Sequence, residues 1–450
     1  MKTPSMRRRG RSLRDAAPMR HMALLFATFL AAGSVSAQTP PAEPDMTLAS
    51  VVESALRDNP DLTSLLAKWE AMLERRAQAG ALPDPMLKYS GMDTASGGKW
   101  PNTNEKRLMV EQEFPWFGKR GLREGIAVKD AEAMQLELET MAQDVVLMAK
   151  ETYYDLYAVQ RVIGVTRTDG EVLQSMSKIA DAQYATGQRS QQDALKAKSE
   201  ITMLKQRLLA LEAQKNALKA KLNRLMNRRA DAPLGTAVTG PPLPAPVSAE
   251  RLFDLAATNR PEVHAAQVQT ERYGLERQLM SKDSAPDYKL GLEYRNFSDS
   301  DDMVMFTVSV DLPVWQSKYR AGVREADRMM AASQAAREAA VRQSALDVQD
   351  AQFKLMTARQ SLDLYRAELI PQAEARFKAS EAGYQTGKVD FLDLLESQRF
   401  LINAHVMAAM AEGTVGMQSA RLDRAVGRDL TAGAPAAGTT GAREGAEHAK

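Results

Sequence analysis

The sequence contains no cysteine. That excludes disulfides, thiolate metal sites, a cysteine nucleophile and a lipid carried on an N-terminal cysteine. Histidine is nearly as scarce. His21, His264, His405 and His448 lie far apart with no ligand-like neighbours, so neither a zinc site nor a catalytic triad is expected. Aromatic residues make up 6% of the chain, which speaks against a β-rich or mixed enzyme domain. No apolar run reaches the ~20 residues that a membrane-spanning helix needs. What the 450 residues do hold is Ala, Leu, Glu, Gln, Lys, Arg and Met in high density, 44% apolar and 26% charged, the composition of long helices with ample material for a core.

The first residues read as an export address. Six Arg and one Lys precede the stretch Ala23 to Gly33, apolar apart from Thr28 and Gly33, and Val35-Ser36-Ala37 supplies small residues for cleavage. Residues 1–37 are therefore expected to be a signal peptide, with Met19 and Met22 as alternative starts. Their removal takes away seven basic residues and one acidic residue, leaving 52 Lys and Arg against 56 Asp and Glu, a charge of −4. The overall basicity belongs to the leader, and no nucleic-acid partner is expected.

An internal repeat organises the remainder. Ala55 to Leu62 matches Ala256 to Val263, both with a central proline (Pro60, Pro261). Ala81 to Lys88 matches Lys282 to Lys289; Glu113-Phe-Pro115-Trp116 matches Asp311-Leu-Pro313-Val-Trp315; and Gln183-Tyr184-Ala-Thr-Gly187 matches Gly383-Tyr384-Gln-Thr-Gly387. The order is kept and the offset stays near 200, so the chain divides into repeats at 38–228 and 250–427. A linker at 229–249 carries Pro233, Pro241, Pro242, Pro244 and Pro246, which forbid helix and predict an extended strap. Residues 428–450, rich in Ala, Gly and Thr, are expected to be a disordered tail.

Within each repeat the period changes twice. Helices are expected over 47–79 and 250–283, each broken at its X-Pro step. Hairpins follow at about 85–114 and 287–312. In the first, Leu87 and Tyr89 alternate with Lys88, and Leu108, Val110 and Phe114 with Arg107, Met109, Glu111 and Glu113. In the second, Tyr288, Leu290, Leu292 and Tyr294 oppose Lys289, Glu293 and Arg295, and Val304 to Leu312 alternate with Met305, Thr307, Ser309 and Asp311. The polar loops between the strands run from Asp93 to Glu105 and from Phe297 to Asp302. Long helices come next. Met134, Leu138, Met141, Val145, Met148, Thr152, Leu156, Val159 and Ile163 form a coiled-coil seam, and Ile201, Leu204, Leu208, Leu211, Leu218, Leu222 and Leu225 form its return. Gly187 and Gly387 can take the left-handed conformation that closes each turn between helices.

Strands with one apolar and one charged face suit half of a soluble sandwich or the wall of a membrane barrel, and alternation alone does not choose. Four strands cannot close by themselves in lipid, where every backbone polar group must be paired. Three copies would supply twelve strands, with Lys88, Glu111, Glu113, Glu293, Arg295 and Asp311 facing a wet lumen.

The tandem hairpins, the segments Leu82-Pro-Asp-Pro85 and Phe114-Pro-Trp-Phe-Gly-Lys-Arg120, and the Tyr-x-Thr-Gly turns followed by Asp393-Leu-Leu395 are similar to the TolC family of outer-membrane efflux channels, most of all its heavy-metal branch. The resemblance spans the mature chain. It implies a mainly α protein with a small membrane β part: a long coiled-coil helical barrel in the periplasm and a twelve-stranded homotrimeric β-barrel in outer-membrane lipid. It also implies a periplasmic adaptor and an inner-membrane pump of the RND type as partners, with metal cations or small toxic compounds as cargo. Gln38 stands where many relatives carry a lipidated cysteine. The resemblance places the selectivity ring at Asp393 and Glu396, six carboxylates in a trimer; the first repeat has Asp193 and Lys196 there and is not assigned to it. Tyr184, Gly187, Tyr384 and Gly387 are expected to meet the adaptor. The 24 methionines do not make a copper site, since Met134, Met141 and Met148 read as seam residues and Met303 and Met305 as strand residues. No catalytic residue, resident metal or cofactor is expected. The rival reading is a soluble periplasmic coiled-coil scaffold, or the adaptor itself.

Overall fold

The computed structural model describes residues 45–92, 105–187, 190–241, 247–297 and 300–430. The expected leader, most of the tail, the first hairpin's loop and the middle of the strap lie outside these. The two X-Pro steps break helices as the sequence requires. Helix α1 (Leu48–Asp58) yields to α2 (Pro60–Gly80) at Asn59, whose side-chain oxygen accepts from the amides of Asp61 and Leu62. In the second repeat α5 (Ala249–Asn259) yields to α6 (Pro261–Lys282) at Arg260.

After these come strands β1 (Met86–Met92), β2 (Glu105–Phe114), β3 (Tyr288–Phe297) and β4 (Met303–Val310), joined antiparallel in the order β1-β2-β3-β4. Glu105, expected to end a loop, opens β2 opposite Phe297. Among the described residues the outer edges of β1 and β4 have no strand beside them.

Each hairpin feeds a long helix. Helix α3 (Lys119–Ala185) has 67 residues, ~100 Å at 1.5 Å per residue, and returns as α4 (Gln191–Leu225). Its counterpart in the second repeat is interrupted. Helix α7 (Gln316–Leu364) passes through a π-helical turn, Tyr365–Leu369, into α8 (Ile370–Gln385) before returning as α9 (Phe391–Val426). Pro371 explains the interruption: it has no N–H for the carbonyl four residues earlier, and the widened turn just before it absorbs the mismatch.

Packing runs α2 on α3, α3 on α6 and α6 on α7, the same order as the strands they adjoin. Further along, α4 packs on α3, α3 on α9, and α9 on α7 and α8. The α3 seam is buried at Val145, Thr152, Leu156, Val159 and Ile163, while Leu138 and Met141 flank that core. Met148, expected in the seam, is exposed instead. Close approach of α3 and α9 depends on glycine. A Cβ at Gly416 would lie 2.5 Å from the Tyr154 ring, and one at Gly413 would lie 2.6 Å from the Ala158 Cβ.

The strap is pinned to the helices. Met46 and Ala237 form a parallel bridge, the Tyr153 hydroxyl donates to the Met46 carbonyl and accepts from the Thr239 amide, and Lys219 donates to the Leu234 carbonyl. Residues 428–430, expected to begin a disordered tail, are also held. The amide of Leu430 donates to Asp423, and Asp429 pairs with Lys150 at 2.9 Å.

Candidate functional site

The sheet is inside out relative to a soluble protein. Residues opposite one another in an antiparallel pair share a face, so the register gathers Leu87, Tyr89, Leu108, Val110, Leu290, Leu292, Tyr294, Val304, Phe306, Val308 and Val310 on one side. All are exposed, with Leu87 at 68% and Phe306 at 67%. The opposite face carries the charge and is the more buried, with Glu293 only 8% exposed. On that face lie Lys88, Glu111, Glu113, Glu293 and Arg295; Asp311, just past β4, pairs with Lys289 at 3.5 Å. The register adds Glu105, Arg107 and Lys289. Arg107 binds Glu105 at 2.6 Å, Arg295 binds Glu293 at 2.8 Å, and Lys289 lies 3.7 Å from Glu113. Met109, Met303 and Met305 share this face, and Arg295 points a guanidinium nitrogen at the Met305 sulfur, 3.9 Å away. A ten-residue strand at ~3.3 Å per residue, tilted ~45°, covers about the height of a barrel's apolar band.

At the far ends of the long helices the two glycines behave alike. Gly187 has φ 72° and Gly387 φ 73°, and the amide of each donates to the carbonyl of the tyrosine three residues before it. The tyrosines part company. Tyr184 is 46% exposed, whereas Tyr384 is 4% exposed, packed edge-on to Phe391 at 5.7 Å with its hydroxyl donating to Gln183. The Tyr384 ring is thus committed to joining the two tips and is not available to an outside partner, which corrects its assignment as a contact residue.

Asp393 and Glu396 sit in the first two turns of α9, both exposed and three apart on adjacent turns of one helix face. Neither has an ion-pair partner among the described residues. Their neighbours on the inner side of α9 do engage α3 and α4. Gln398 donates to Asp169 and Arg399 pairs with Glu200. Burial pushes the Asp169 carboxyl above the usual carboxylate range, against the bond from Gln398 and the nearby charge of Arg207. Among the described residues the Gln398 side-chain oxygen is buried without a partner, beside a cavity of about 560 Å³ between α3, α4 and α9. Sequence reading missed Asp169 because an aspartate on a long helix looks like one more solvated residue; its partner stands 229 positions away.

At the other end of α9 the charges interlock. Lys150 sits between Asp423 at 2.8 Å and Asp429 at 2.9 Å; burial, the largest influence, drives its pKa down, but the two carboxylates outweigh it and the net shift is upward. Arg424 joins Asp144 on α3 and Glu262 on α6, and Arg260 joins Asp347 on α7 at 2.7 Å. These bonds fix the base of the helical region as one piece. Among the described residues no helix is long and apolar enough to cross a membrane, and no three His, Asp or Glu side chains cluster to hold a metal ion.

The family described as outer membrane efflux protein matches residues 51–228 and again 252–428. The chain belongs to that family. Its members are channel and transport proteins rather than enzymes, and they act with periplasmic adaptors and inner-membrane pumps in tripartite systems. The chain is similar to the cobalt-zinc-cadmium resistance protein CzcC of Cupriavidus metallidurans, 24% identical over 395 residues covering 85% of this chain and 90% of the relative. It is also similar to the pyoverdine export outer membrane protein OpmQ of Pseudomonas putida, 22% identical over 418 residues covering 86% and 87%. The crystal structure of CusC shares the fold, with a TM-score of 0.74 at 16% identity, covering 86% of this chain and 93% of that one. The inside-out sheet is accordingly the part that lies in the outer membrane, and the long helices stand in the periplasm. As a member of this family the protein is the outer-membrane duct of an efflux system.

Proposed function

We propose that three copies of the chain, with repeats at 38–228 and 250–427, join head to tail into a passive exit duct for metal cations. The observation that carries this reading is the four-stranded sheet with its apolar face exposed and, among the described residues, both edges unpaired. In lipid an unpaired strand edge leaves backbone N–H and C=O groups without partners, so β4 of one copy pairs with β1 of the next, and twelve strands close. The helical region is open on the same two sides, at α2 and α4 and at α7 and α8. An outward apolar sheet of this kind also argues against a soluble scaffold or adaptor, whose exposed surface would not be apolar over a whole face.

Asp393 and Glu396 form the selectivity ring, six exposed carboxylates gathered on the threefold axis where charge selects cations. Tyr184, Gly187 and Gly387 present the tips to a periplasmic adaptor, with an inner-membrane pump of the RND type beyond it. Metal cations are favoured as cargo by the likeness to CzcC and by this ring. No catalytic role and no resident cofactor are assigned. The test is conductance in planar bilayers together with sizing in detergent. A trimer with a preference for cations is expected, and Asp393→Asn combined with Glu396→Gln should remove most of that preference and any block by divalent cations. A monomer stable in detergent-free buffer defeats the duct; unaltered selectivity in the double variant defeats the ring alone.

A further inference from the structure

The turns that carry the family likeness have a placement that a conduit does not by itself require. The segment from Phe114 to Arg120 leaves the foot of β2 and ends in the first turn of α3; the segment from Leu312 to Trp315 does the same between β4 and α7. The first turn is clamped from beneath. Asp287 accepts the Trp116 amide at 2.6 Å and the Lys119 ammonium at 2.9 Å, and Lys119, 3% exposed, also donates to the Ala285 carbonyl. Gly118, at φ 86°, allows the chain to reverse there. The clamp turns Phe117 outward. Its ring lies 6.3 Å from that of Tyr288, which stacks on Phe114 at 5.7 Å, so the outward apolar face of the sheet continues without a break into the turn. Phe117 at 72% and Trp315 at 74% are the most exposed aromatic side chains among the described residues, with Leu312 and Val314 beside the latter.

Cations border this aromatic band. Lys282 donates to the Phe117 carbonyl at 3.3 Å, Lys318 lies 5.5 Å above the Tyr319 ring, and Arg320 and Arg324 follow in the opening turns of α7. Among the described residues none of the four has a carboxylate within ion-pairing distance, whereas Lys119, Lys150, Arg272 and Arg424 elsewhere on the helices each have one. A groove of about 300 Å³ between α6 and α7 is lined by Met280, Ser284, Tyr319, Arg320, Val323 and Arg324. Aromatic rings at the foot of a lipid-facing sheet sit at headgroup depth. Unpaired basic side chains at that depth are drawn to anionic lipid, gaining roughly five-fold in partitioning for each charge.

We propose that this band is a binding surface for anionic phospholipid, in which Trp116, Phe117 and Trp315 rest at the acyl boundary of the periplasm-facing leaflet and Lys282, Lys318 and Arg320 hold lipid phosphates. The proposal rests on reading the sheet as the membrane wall. It adds that the chain selects the charge of its lipids and does so through the two repeated turns, the aromatic residues setting depth and the cations setting composition.

The test uses the full chain in detergent, mixed with phosphatidylglycerol or phosphatidylcholine, with retained lipids counted by native mass spectrometry and unfolding followed by heating. Retention of phosphatidylglycerol at least ten-fold above phosphatidylcholine is expected, with a higher melting temperature in its presence, and millimolar inorganic phosphate should not displace it. The triple variant Lys282→Gln, Lys318→Gln, Arg320→Gln should lose the preference while still conducting in bilayers of pure phosphatidylcholine. Equal retention of the two lipids by the native protein overturns the proposal without recourse to any variant, and so does an undiminished preference in the triple variant or displacement by free phosphate. Failure of the native protein to conduct in phosphatidylcholine would instead count against the duct, which keeps the two readings separable.

Discussion

The two return helices, α4 and α9, hold matching places in the two repeats and live in different surroundings. Helix α9 lies between α3 on one side and α7 with α8 on the other, and 20 of its 36 residues are buried. Helix α4 rests on α3, and only 6 of its 35 residues are buried. Composition follows position. Helix α9 meets its neighbours with Ala404, Ala408, Gly413 and Gly416, whereas α4 leaves Leu195, Met203 and Leu209 exposed among eight Lys and Arg and three Asp and Glu. A duplicated unit has thus diverged according to how much of it its own chain covers, and in the proposed trimer the open side of α4 is where another copy would lie. The apolar stripe on α4 is what α9 would look like with its second partner taken away.

The hardest blow to this comparison comes from enlarging a glycine. Gly416→Leu drives a side chain into the Tyr154 ring and is expected to cost about 3 kcal/mol or prevent folding, while Asn216→Leu at the matching place on exposed α4 should change stability by less than about 0.5 kcal/mol. Thermal unfolding monitored by circular dichroism decides, and equal effects would mean that the two helices are not differently enclosed. Next in size is Leu209→Glu. Leu209 is 73% exposed, so the chain should fold, but losing one apolar side chain from a contact between copies, worth roughly 1.5–3 kcal/mol, weakens the trimer more than about ten-fold. At the counterpart Ala409, buried on α9, the same change should abolish folding itself. A trimer unaltered by Leu209→Glu would place the junction between copies elsewhere.

The smallest effect concerns Asp169, whose counterpart is Leu369 in the π-helical turn. Burial raises the folded-state pKa of Asp169 above its ordinary value of 3.8, so the folded chain holds this proton more tightly than the unfolded chain does. The stabilisation that protonation brings is complete below the unfolded value and lost as pH rises through the folded one. Asp169 therefore costs stability at neutral pH. Asp169→Asn keeps an acceptor for Gln398 and removes that cost, so amide hydrogen exchange near the tips should slow slightly at pH 7, and its difference between pH 7 and pH 5 should shrink. Faster exchange at pH 7 in the variant would show that the charge is favourable where it sits.

Much of this architecture could be read from local chemistry. The breaks at Asn59-Pro60 and Arg260-Pro261, the alternation of Leu290, Leu292 and Tyr294 with Lys289, Glu293 and Arg295, and the turns at Gly187 and Gly387 each depend on a few adjacent residues, and each has its place in the fold. What escaped depends on partners far along the chain. Asp169 and Lys150 have the same appearance in sequence as Lys205 or Glu137, and only their neighbours on α9 set them apart. Tyr184 and Tyr384 occupy equal positions in the repeat, yet one ring is buried because Phe391 and Gln183 receive it. Met148 fits the seam by period and misses it by rotation, the gradual drift of a straight helix against a strict seven-residue repeat. The π-helical turn could have been sought at Pro371, which has no counterpart in the uninterrupted α3.

The bridge between Met46 and Ala237 has an evolutionary consequence. It brings the segment entering the first repeat alongside the segment leaving it, running in the same direction, with Tyr153 bonded to both. A unit whose two ends meet can be copied and fused to itself without rethreading, because the new connection needs only to step away from a point both ends already share. The junction that records such a fusion is also where the chain could be reopened. Two half-length polypeptides cut within the strap, each keeping its own hairpin and pair of long helices, would retain every contact inside the repeats and differ from the present protein by the loss of one covalent tether.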